Sequence, residues 1–533
     1  MSDPKLEAFL DKLTTTETIK NLYRQHGMAY GWIVMFTISL ATVATQITGT
    51  IINVAIPEIM GTYGIGQDKG QWLSTAFLAS ATITMVMTSW ATHNFGVRFI
   101  MLASMIIYIV GSLLGGVSPK LEVMILARIL QWAAAGFVTP MIMSVIFLIF
   151  PFQMQGRVMG ITMLSVVLAP AVGPALGGIL IDTLSWRYVY FVGVPFSLFT
   201  LPAALFFLPG NEPDGPRPTL DWQGLLLISI CVCSLLLALS DGERYGWNSN
   251  YIVTAIGITI SSFAMFIYRE LHCDHPLLDL RIFGYYRFAI MSIFAAFFGA
   301  GMFGSFYIVP LFLQISQHLT PTDAGMIAVP GGLIMAIAFP LSGRIADRYD
   351  HRLLFTFGIL IFAYSCWLMV SADVNTNFWT FCWWIVISRL GMGLVAPSLN
   401  LSAMQALPME HLQHGAGAIN FVRQLGGAFG VNLLSLAITK RTGFHRDNVF
   451  ATQEFGNSDS VAALEGIQRS ITAEGLSTME QQYIAYRTLA QMIYHQAEVY
   501  AFQDGFLALG IMLIVSLIPI WMLRKKHLVI LSR

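Results

Sequence analysis

Three arginines lie inside long apolar stretches of the sequence, where a charged side chain is costly. Arg128, Arg389 and Arg423 are the basic residues away from the ends of these stretches. A charge at the centre of a bilayer costs about 2.5–3.5 kcal/mol on insertion scales, so we expect each guanidinium to face protein or water. It can bind an anion, assist proton transfer, or hold helices together through carbonyl groups. For Arg128, reaching the lipid headgroups is a further alternative.

Acidic residues are absent from the middle of the same stretches. Glu58, Glu122, Asp182 and Asp504 all fall at or near the ends. Simple charge pairing therefore favours an anionic or zwitterionic amphiphile as the ligand. A pocket for such molecules needs apolar and aromatic walls with a few oriented polar groups. The candidates for that lining are Gln46, Thr48, Asn53, Gln131, Phe303, Tyr307, Gln314, Asn400 and Asn420.

The composition indicates what kind of chain carries these residues. Of 533 residues, 56% are hydrophobic and 11% are charged, against about 25% charged in soluble proteins. The formal net charge is +0, which gives no basic field for nucleic acid. The sequence contains neither a P-loop nor an HExxH motif, so we expect no enzyme, metal or cofactor. The chain is predicted to be a multi-pass membrane protein whose partners are the lipid bilayer and a small molecule.

Apolar runs of about 20 residues, long enough to cross the hydrocarbon core, recur along the chain. They predict an all-α membrane protein with fourteen transmembrane helices. The predicted spans are 30–52, 73–92, 98–117, 122–146, 157–181, 188–208, 221–240, 251–268, 286–312, 322–342, 351–371, 378–402, 415–437 and 501–523.

Lysines and arginines in the short loops concentrate on the side of the N-terminus, which predicts that both termini are cytoplasmic. Within the cytoplasmic segment 1–29, the residues Leu6, Phe9, Leu10 and Leu13 can form one face of an interfacial helix. A plain flexible tail is the alternative. Residues 524–533 form the predicted cytoplasmic tail.

An internal repeat is indicated by glycines and prolines. A shift of 257 positions aligns Gly136 with Gly393, Gly160 with Gly417 and Gly173 with Gly430, and it also aligns two pairs of prolines. Parallel repeats of this kind build transporters with a site at the repeat interface. We therefore predict a first six-helix bundle at 30–208, two inserted helices with a connector at 209–285, and a second bundle at 286–523. The second bundle includes a long extracytoplasmic loop at 440–500.

Four motifs resemble those of the major facilitator superfamily, and specifically its fourteen-span drug:proton antiporters of the EmrB/QacA type. Thr50–Pro57 (TIINVAIP) is similar to the TxxNVAxP stretch, and Arg128–Gln131 (RILQ) to the RxxQG motif. Gly173–Gly178 (GPALGG) resembles the antiporter motif, and Gly343–Arg348 (GRIADR) the cytoplasmic gating loop. The resemblance implies a proton-driven exporter in the bacterial inner membrane.

The resemblance also implies roles for particular residues. Arg128 would take part in proton coupling, and Gly343, Asp347 and Arg348 would gate the cytoplasmic face. The antiporter-like motif contributes Gly173, Pro174, Gly177 and Gly178 to helix packing or to the transport movement. Thr48 stands where the family has an aspartate, so the usual carboxylate is missing. The polar loop 440–500 would dock a periplasmic adaptor protein that leads to an outer-membrane channel.

Three functions follow from these observations. We predict a proton-coupled exporter of amphipathic drugs or toxic compounds that works by alternating access. A dedicated exporter of one endogenous metabolite, such as a siderophore or a fatty acid, is the first alternative. A transport-inactive membrane sensor or assembly subunit is the second, since Thr48 cannot carry a proton.

Overall fold

A computed structural model describes residues 17–65, 72–210, 219–274, 276–346, 350–451, 462, 464–468 and 478–523. The regular elements in these ranges are helices. The α-helices are α1 (Glu17–His26), α2 (Ala29–Tyr63), α3 (Trp72–Gly116), α4 (Leu121–Ile149), α5 (Phe152–Thr183), α6 (Val194–Phe207), α7 (Trp222–Tyr245), α8 (Asn250–His272), α9 (Tyr286–Ile315), α10 (Pro321–Ala346), α11 (His351–Met369), α12 (Phe378–Met404), α13 (Leu412–Ala451), α14 (Thr478–Val515) and α15 (Leu517–Met522). Short 3₁₀ helices cover Trp186–Phe191, Leu280–Gly284 and Met409–His411.

Every predicted span coincides with helical structure, which confirms the all-α class. Within the described ranges, 12 helices are long and apolar enough to cross a membrane. One of them, Ser80–Gly116, overlaps two predicted spans, 73–92 and 98–117. The helix is interrupted at Gly96, whose φ of 79° is not helical. Glycine suits this position because residues with a Cβ rarely adopt a positive φ. Helix α5, which covers the predicted span 157–181, is not among the 12. The count of fourteen crossings therefore stays a prediction.

Glycines that the 257-residue shift aligns make corresponding contacts. A Cβ on Gly173 of α5 would lie 2.5 Å from Thr50 Oγ1 of α2, and one on Gly430 of α13 would lie 2.6 Å from Ala300 Cβ of α9. Gly160 of α5 packs against Phe339 O of α10, while Gly417 of α13 packs against Met85 O of α3. Small residues let membrane helices approach this closely. Domain boundaries at 208 and 286 remain predictions.

Helices α7 and α8 pack against each other, and α7 also packs against α3 and α13. Asp221 caps α7 by accepting from Gly224 N at 3.1 Å, and it also accepts from Arg269 Nε of α8 at 3.3 Å. The connector that follows is fixed by Glu270, which accepts from Leu278 N at 3.2 Å. These contacts join α7 to α8, and α8 to the connector, at the end where the sequence predicts the cytoplasm.

Much of the predicted loop 440–500 is helical where the structure describes it, and its extracytoplasmic position stays a prediction. Helix α13 continues to Ala451 and α14 begins at Thr478, so both helices extend beyond their predicted spans. Ala485, Ile493 and Ala497 are buried at spacings of one or two helical turns. A search by average hydropathy misses an amphipathic helix of this kind, because the polar residues on its exposed face lower the average.

The described part of the N-terminal segment contains one helix, α1. Ile19 and Tyr23 of α1 are buried, and the Tyr23 hydroxyl donates to Ile149 O at 3.1 Å. Helix α1 therefore packs on the bundle at the end of α4. The residues predicted to form the interfacial face, Leu6 to Leu13, lie outside the described residues.

Candidate functional site: three buried arginine clusters

The Arg128 cluster joins α2, α3 and α4. The Arg128 side chain is fully buried, and its Nη1 donates to Thr48 O and to Gln131 Oε1, both at 3.1 Å. Its Nε donates to Leu73 O at 3.4 Å. These bonds direct the guanidinium into the protein interior rather than towards the headgroups. An arginine fork suits this task because it carries five donors in a fixed plane.

Thr48 lies beside this guanidinium but contributes a neutral hydroxyl. Its Oγ1 donates to Ala44 O at 3.0 Å and accepts a hydrogen bond from the Tyr108 hydroxyl. Gln131 extends the network by donating from Nε2 to Ser112 Oγ at 2.9 Å. Sequence reasoning did not find Tyr108 and Ser112, which lie on the second arm of α3. The cluster is thus a neutral polar network around one buried cation.

The Arg389 cluster lies inside the second set of helices. Nη1 of Arg389, on α12, donates to Ser305 Oγ of α9 at 3.3 Å and to Met392 Sδ at 3.1 Å. The guanidinium stacks on the Phe306 ring, with Cζ 4.2 Å from its centroid. A Cβ on Gly331 of α10 would lie 2.8 Å from Arg389 Cγ. These neutral contacts hold the cation between α9, α10 and α12.

The Arg423 cluster reaches from the second set of helices to the first. Nη1 of Arg423, on α13, donates to Asn400 Oδ1 of α12 at 3.2 Å, and Nη2 donates to Asn420 Oδ1. Asn420 Nδ2 in turn lies 3.6 Å from Met143 Sδ of α4. Arg423 is 9% exposed. Through Asn420, Arg423 is connected to the contact between α4 and α13.

One spacing is common to the three clusters. Gln131 follows Arg128 by three residues, Met392 follows Arg389 by three, and Asn420 precedes Arg423 by three. Residues three apart share a helix face, so each arginine has a polar or thioether partner on its own helix. The three-residue spacing could be found in the sequence, whereas no sequence pattern indicated the partners on other helices.

The other predicted lining residues lie at separate helix contacts where the structure describes their side chains. Gln46 Nε2 donates to Thr139 Oγ1 at 3.2 Å, which links α2 to α4. Phe303 packs on Gly427, and the Tyr307 hydroxyl donates to Ser435 Oγ at 3.2 Å, so both occupy the interface of α9 with α13. Gln314 is partly exposed near the end of α9. Asn53 lies on α2, and its side chain is outside the described set.

The antiporter-like glycines serve two interfaces. A Cβ on Gly177 would lie 2.7 Å from Ile51 Cγ1, so Gly177 faces α2, as Gly173 does. Gly178 faces the start of α10, where a Cβ would meet the Thr322 side chain. The Pro174 side chain lies outside the described set. Helix α5 therefore contacts α2 with one side and α10 with the other.

The gating-like loop begins where α10 meets the start of α5. A Cβ on Gly343 would collide with Gly156 O and would lie 3.4 Å from Arg157 Cα. Asp347 and Arg348 lie outside the described residues, so their latching role stays a prediction. Together with the Gly178–Thr322 contact, this places α5 against α10 near both ends of the two helices.

The carboxylates that the structure describes as buried lie away from these clusters. Asp221 and Glu270 are at the ends of α7 and α8. Asp504, on α14, is partly exposed and accepts from Arg441 Nε at 2.5 Å and from His445 Nε2 at 2.7 Å. The described hydrogen bonds of the three arginines go instead to carbonyl, amide, hydroxyl and thioether groups.

Comparisons with known proteins agree with the motifs. A family model described as Major Facilitator Superfamily matches residues 38–431. The multidrug export protein EmrB of Haemophilus influenzae is 28% identical over 495 residues, covering 92% of this chain and 96% of that protein. The lincomycin resistance protein LmrB of Listeria monocytogenes is 25% identical over 422 residues, covering 79% and 89%.

A solved structure shares the fold. The human organic anion transporter MFSD10 (TETRAN) superposes with a TM-score of 0.57 at 12% identity, covering 91% of this chain and 99% of that one. At this identity the likeness shows the fold alone. The family model and the relatives confirm the resemblance that the four motifs carry, and the solved structure confirms the fold.

Proposed function

The chain belongs to the Major Facilitator Superfamily, and on that premise we propose that it is a secondary exporter of amphipathic compounds. Relatives named for multidrug export and for lincomycin resistance match most of the chain. The compounds would enter from the cytoplasm or the inner leaflet and leave on the opposite side. The observation that carries this proposal is the Arg423 cluster, a polar site at the contact between α4 and α13.

Alternating access needs contacts between the two sets of helices that can open at one end at a time. Helix α5 meets α10 through Gly343 at the end predicted to be cytoplasmic, and through Gly178 at the other end. Both contacts depend on glycine, which permits close approach without interlocking side chains. This arrangement supports a rocking movement of one set of helices against the other.

We assign the substrate a negative or zwitterionic headgroup. Arg423 is bonded to two asparagine oxygens, which are neutral acceptors. A carboxylate or sulfonate would form stronger, charge-assisted hydrogen bonds with the same guanidinium. Exchange of weak acceptors for a strong one gives the site a preference for anions over cations.

Proton coupling is the second part of the proposal. Thr48 is neutral, so the coupled proton must be carried elsewhere, and Asp504 with His445 is a titratable pair near the end of a span. We further infer a bacterial inner-membrane location with both termini in the cytoplasm. The helical extension of α13 and α14 is the surface that we assign to a periplasmic adaptor.

Replacing Arg423 with glutamine should reduce the export of anions specifically. In everted vesicles with an imposed pH gradient, we expect the unchanged chain to transport an anionic amphiphile better than its cationic counterpart, and a protonophore to stop this. Arg423→Gln should lower anion export by about tenfold, equivalent to about 1.4 kcal/mol of lost charge-assisted bonding. Cation export should not fall.

Arg389→Gln is the matched control, because Arg389 has the same charge and similar burial, and its described hydrogen bonds stay within the second set of helices. It should affect both substrates equally. Efficient cation export by the unchanged chain would contradict the substrate assignment. Silence towards both substrates would favour the dedicated exporter or the sensor.

Introducing an acid at position 48 should create a titratable site beside Arg128. In Thr48→Asp the new carboxylate would lie next to the Tyr108 hydroxyl and the guanidinium that bonds Thr48 O. We expect cation export to rise by about tenfold, the effect of about 1.4 kcal/mol of added attraction. Thr48→Asn has the same shape without the charge and should leave cation export unchanged. Equal transport by the two variants would show that position 48 does not contribute charge.

A further inference from the structure

Two histidines join the α9–α10 turn, residues 316–320, to helix α14. Nε2 of His318, in the turn, lies 2.7 Å from Nε2 of His495, and the ring centroids are 4.7 Å apart in an edge-on arrangement. A hydrogen bond between two imidazole nitrogens requires that one carries a proton and the other does not. The contact can therefore exist only while at least one ring is neutral.

His318 holds a backbone conformation that is unfavourable for its residue type. Its φ is 52°, and in the described part of the chain it is the one non-glycine residue with positive φ. Such a residue persists where surrounding contacts hold it in place. On one side, Gln317 Nε2 donates to Asp373 O and Thr376 O, both at 3.1 Å. On the other side, the His318–His495 bond fastens the turn to α14.

The charged groups around the two histidines favour one bound proton over two. On α14, Glu498 Oε2 lies 3.9 Å from His495 Nδ1. Both histidines line an open cavity of about 610 Å³, and Arg487 of α14 lines it too. Tyr494 also lines this cavity and is hydrogen-bonded to Glu498.

The neighbouring elements add two further carboxylates, each with its own partner. Asp323 of α10 accepts from Thr320 Oγ1 at 2.7 Å, and Asp373 from Thr376 Oγ1 at 2.7 Å. Among the described residues, Glu498 is the carboxylate recorded within ion-pair distance of the rings. A second proton on the pair would meet a neighbouring imidazolium and a nearby arginine.

We propose that the His318–His495 pair is a proton-binding site whose second proton breaks the contact and releases the turn from α14. The turn leads directly into α10, where Thr322 packs against Gly178 of α5. Release at low pH therefore loosens the α5–α10 contact at the end predicted to face outwards. This last step rests on the proposed export function, whereas proton binding and release of the turn do not.

Thermal unfolding of the purified full-length chain at pH 8 and pH 5 tests the proton site without transport. At pH 8, His318→Ala and His495→Ala should each lower the Tm by about 2 °C, and the double variant should fall no further than the lower single variant. At pH 5 the single variants should be at least as stable as the unchanged chain, because they remove the repulsion. Additive losses of equal size at both pH values would overturn the proposal.

His445→Ala provides a control of opposite sign, because His445 of α13 also bonds a residue of α14. His445 bonds the carboxylate of Asp504, so its protonation strengthens the contact, and the loss of Tm should be larger at pH 5 than at pH 8. His318→Gly should be more stable than His318→Ala at both pH values, since glycine tolerates the positive φ. If His445→Ala and His318→Ala showed the same pH trend, the trend would be general to the protein, and the proposal would fail.

Transport then tests the last step separately. In vesicles, export by the unchanged chain should vary with pH on the predicted outer side between 5 and 8. His318→Ala should flatten that profile while staying within about twofold of the unchanged rate at pH 8. Normal pH-dependent unfolding with an unchanged pH profile of export would retain the proton site and overturn its connection to α10. Absence of export in every variant would count against the proposed function alone.

Discussion

Arg128→Met is expected to abolish export while leaving the chain folded. The guanidinium bonds carbonyl oxygens on α2 and α3 and an amide on α4, and methionine fills a similar volume without any donor. Hydrogen bonds from a charged donor are worth about 1.5–3 kcal/mol each. Removing the buried charge returns much of this through its avoided desolvation. We therefore expect a Tm within a few degrees of the unchanged chain and a loss of export of about a hundredfold.

Arg128→Lys separates charge from geometry. An ammonium group keeps the charge but cannot span Thr48 O and Leu73 O with fixed, coplanar donors. We expect this variant to export no better than Arg128→Met. Arg98→Lys is the control, since Arg98 makes one described carbonyl bond, to Leu208 O at 2.7 Å, and should retain export. Full activity in Arg128→Lys would mean that position 128 supplies charge and not helix geometry.

The Arg128 cluster illustrates how far sequence reasoning reaches into this site. The burial cost of a charge identified Arg128, and helical spacing connects it to Gln131, because both are local properties. Tyr108 and Thr48 meet only because α3 divides at Gly96 and its second arm lies beside α2 and α4. That pairing depends on packing between distant segments, which hydropathy and spacing do not encode.

The fold follows the same division. Apolar length located the helices of the predicted spans, since crossing the hydrocarbon core requires about 20 apolar residues. Hydropathy predicts a loop where α13 and α14 extend, because the polar faces of these helices lower the average hydropathy. Similarly, the antiporter-like motif was recognised as a set of small residues. That Gly177 faces α2 while its neighbour Gly178 faces α10 follows from the rotation of α5, which the sequence does not specify.

The two ends of the α5–α10 contact give the second large prediction. Gly343→Leu should hold the halves apart at the end predicted to be cytoplasmic, because a side chain there would collide with Gly156 O. Overpacking costs about 1–3 kcal/mol, and it applies only to the conformation in which this end is closed. Two conformations of one protein differ by a few kcal/mol. The penalty is therefore enough to change their ratio about tenfold to a hundredfold and to stop export.

Gly178→Leu should have the opposite effect, because its side chain would collide with Thr322 at the other end. A cysteine at Met143, beside the Arg423 cluster, reports which end is open in a chain freed of its five native cysteines. A membrane-impermeant thiol reagent should label Met143→Cys from the cytoplasmic side in Gly343→Leu and from the outer side in Gly178→Leu. Gly257→Leu, where no atom lies within 4 Å of the added Cβ, should change neither labelling nor export. Labelling from the same side in both variants would rule out the rocking of α5 against α10. In a rocking movement, overpacking the cytoplasmic end and overpacking the outer end must open opposite ends of the α5–α10 contact.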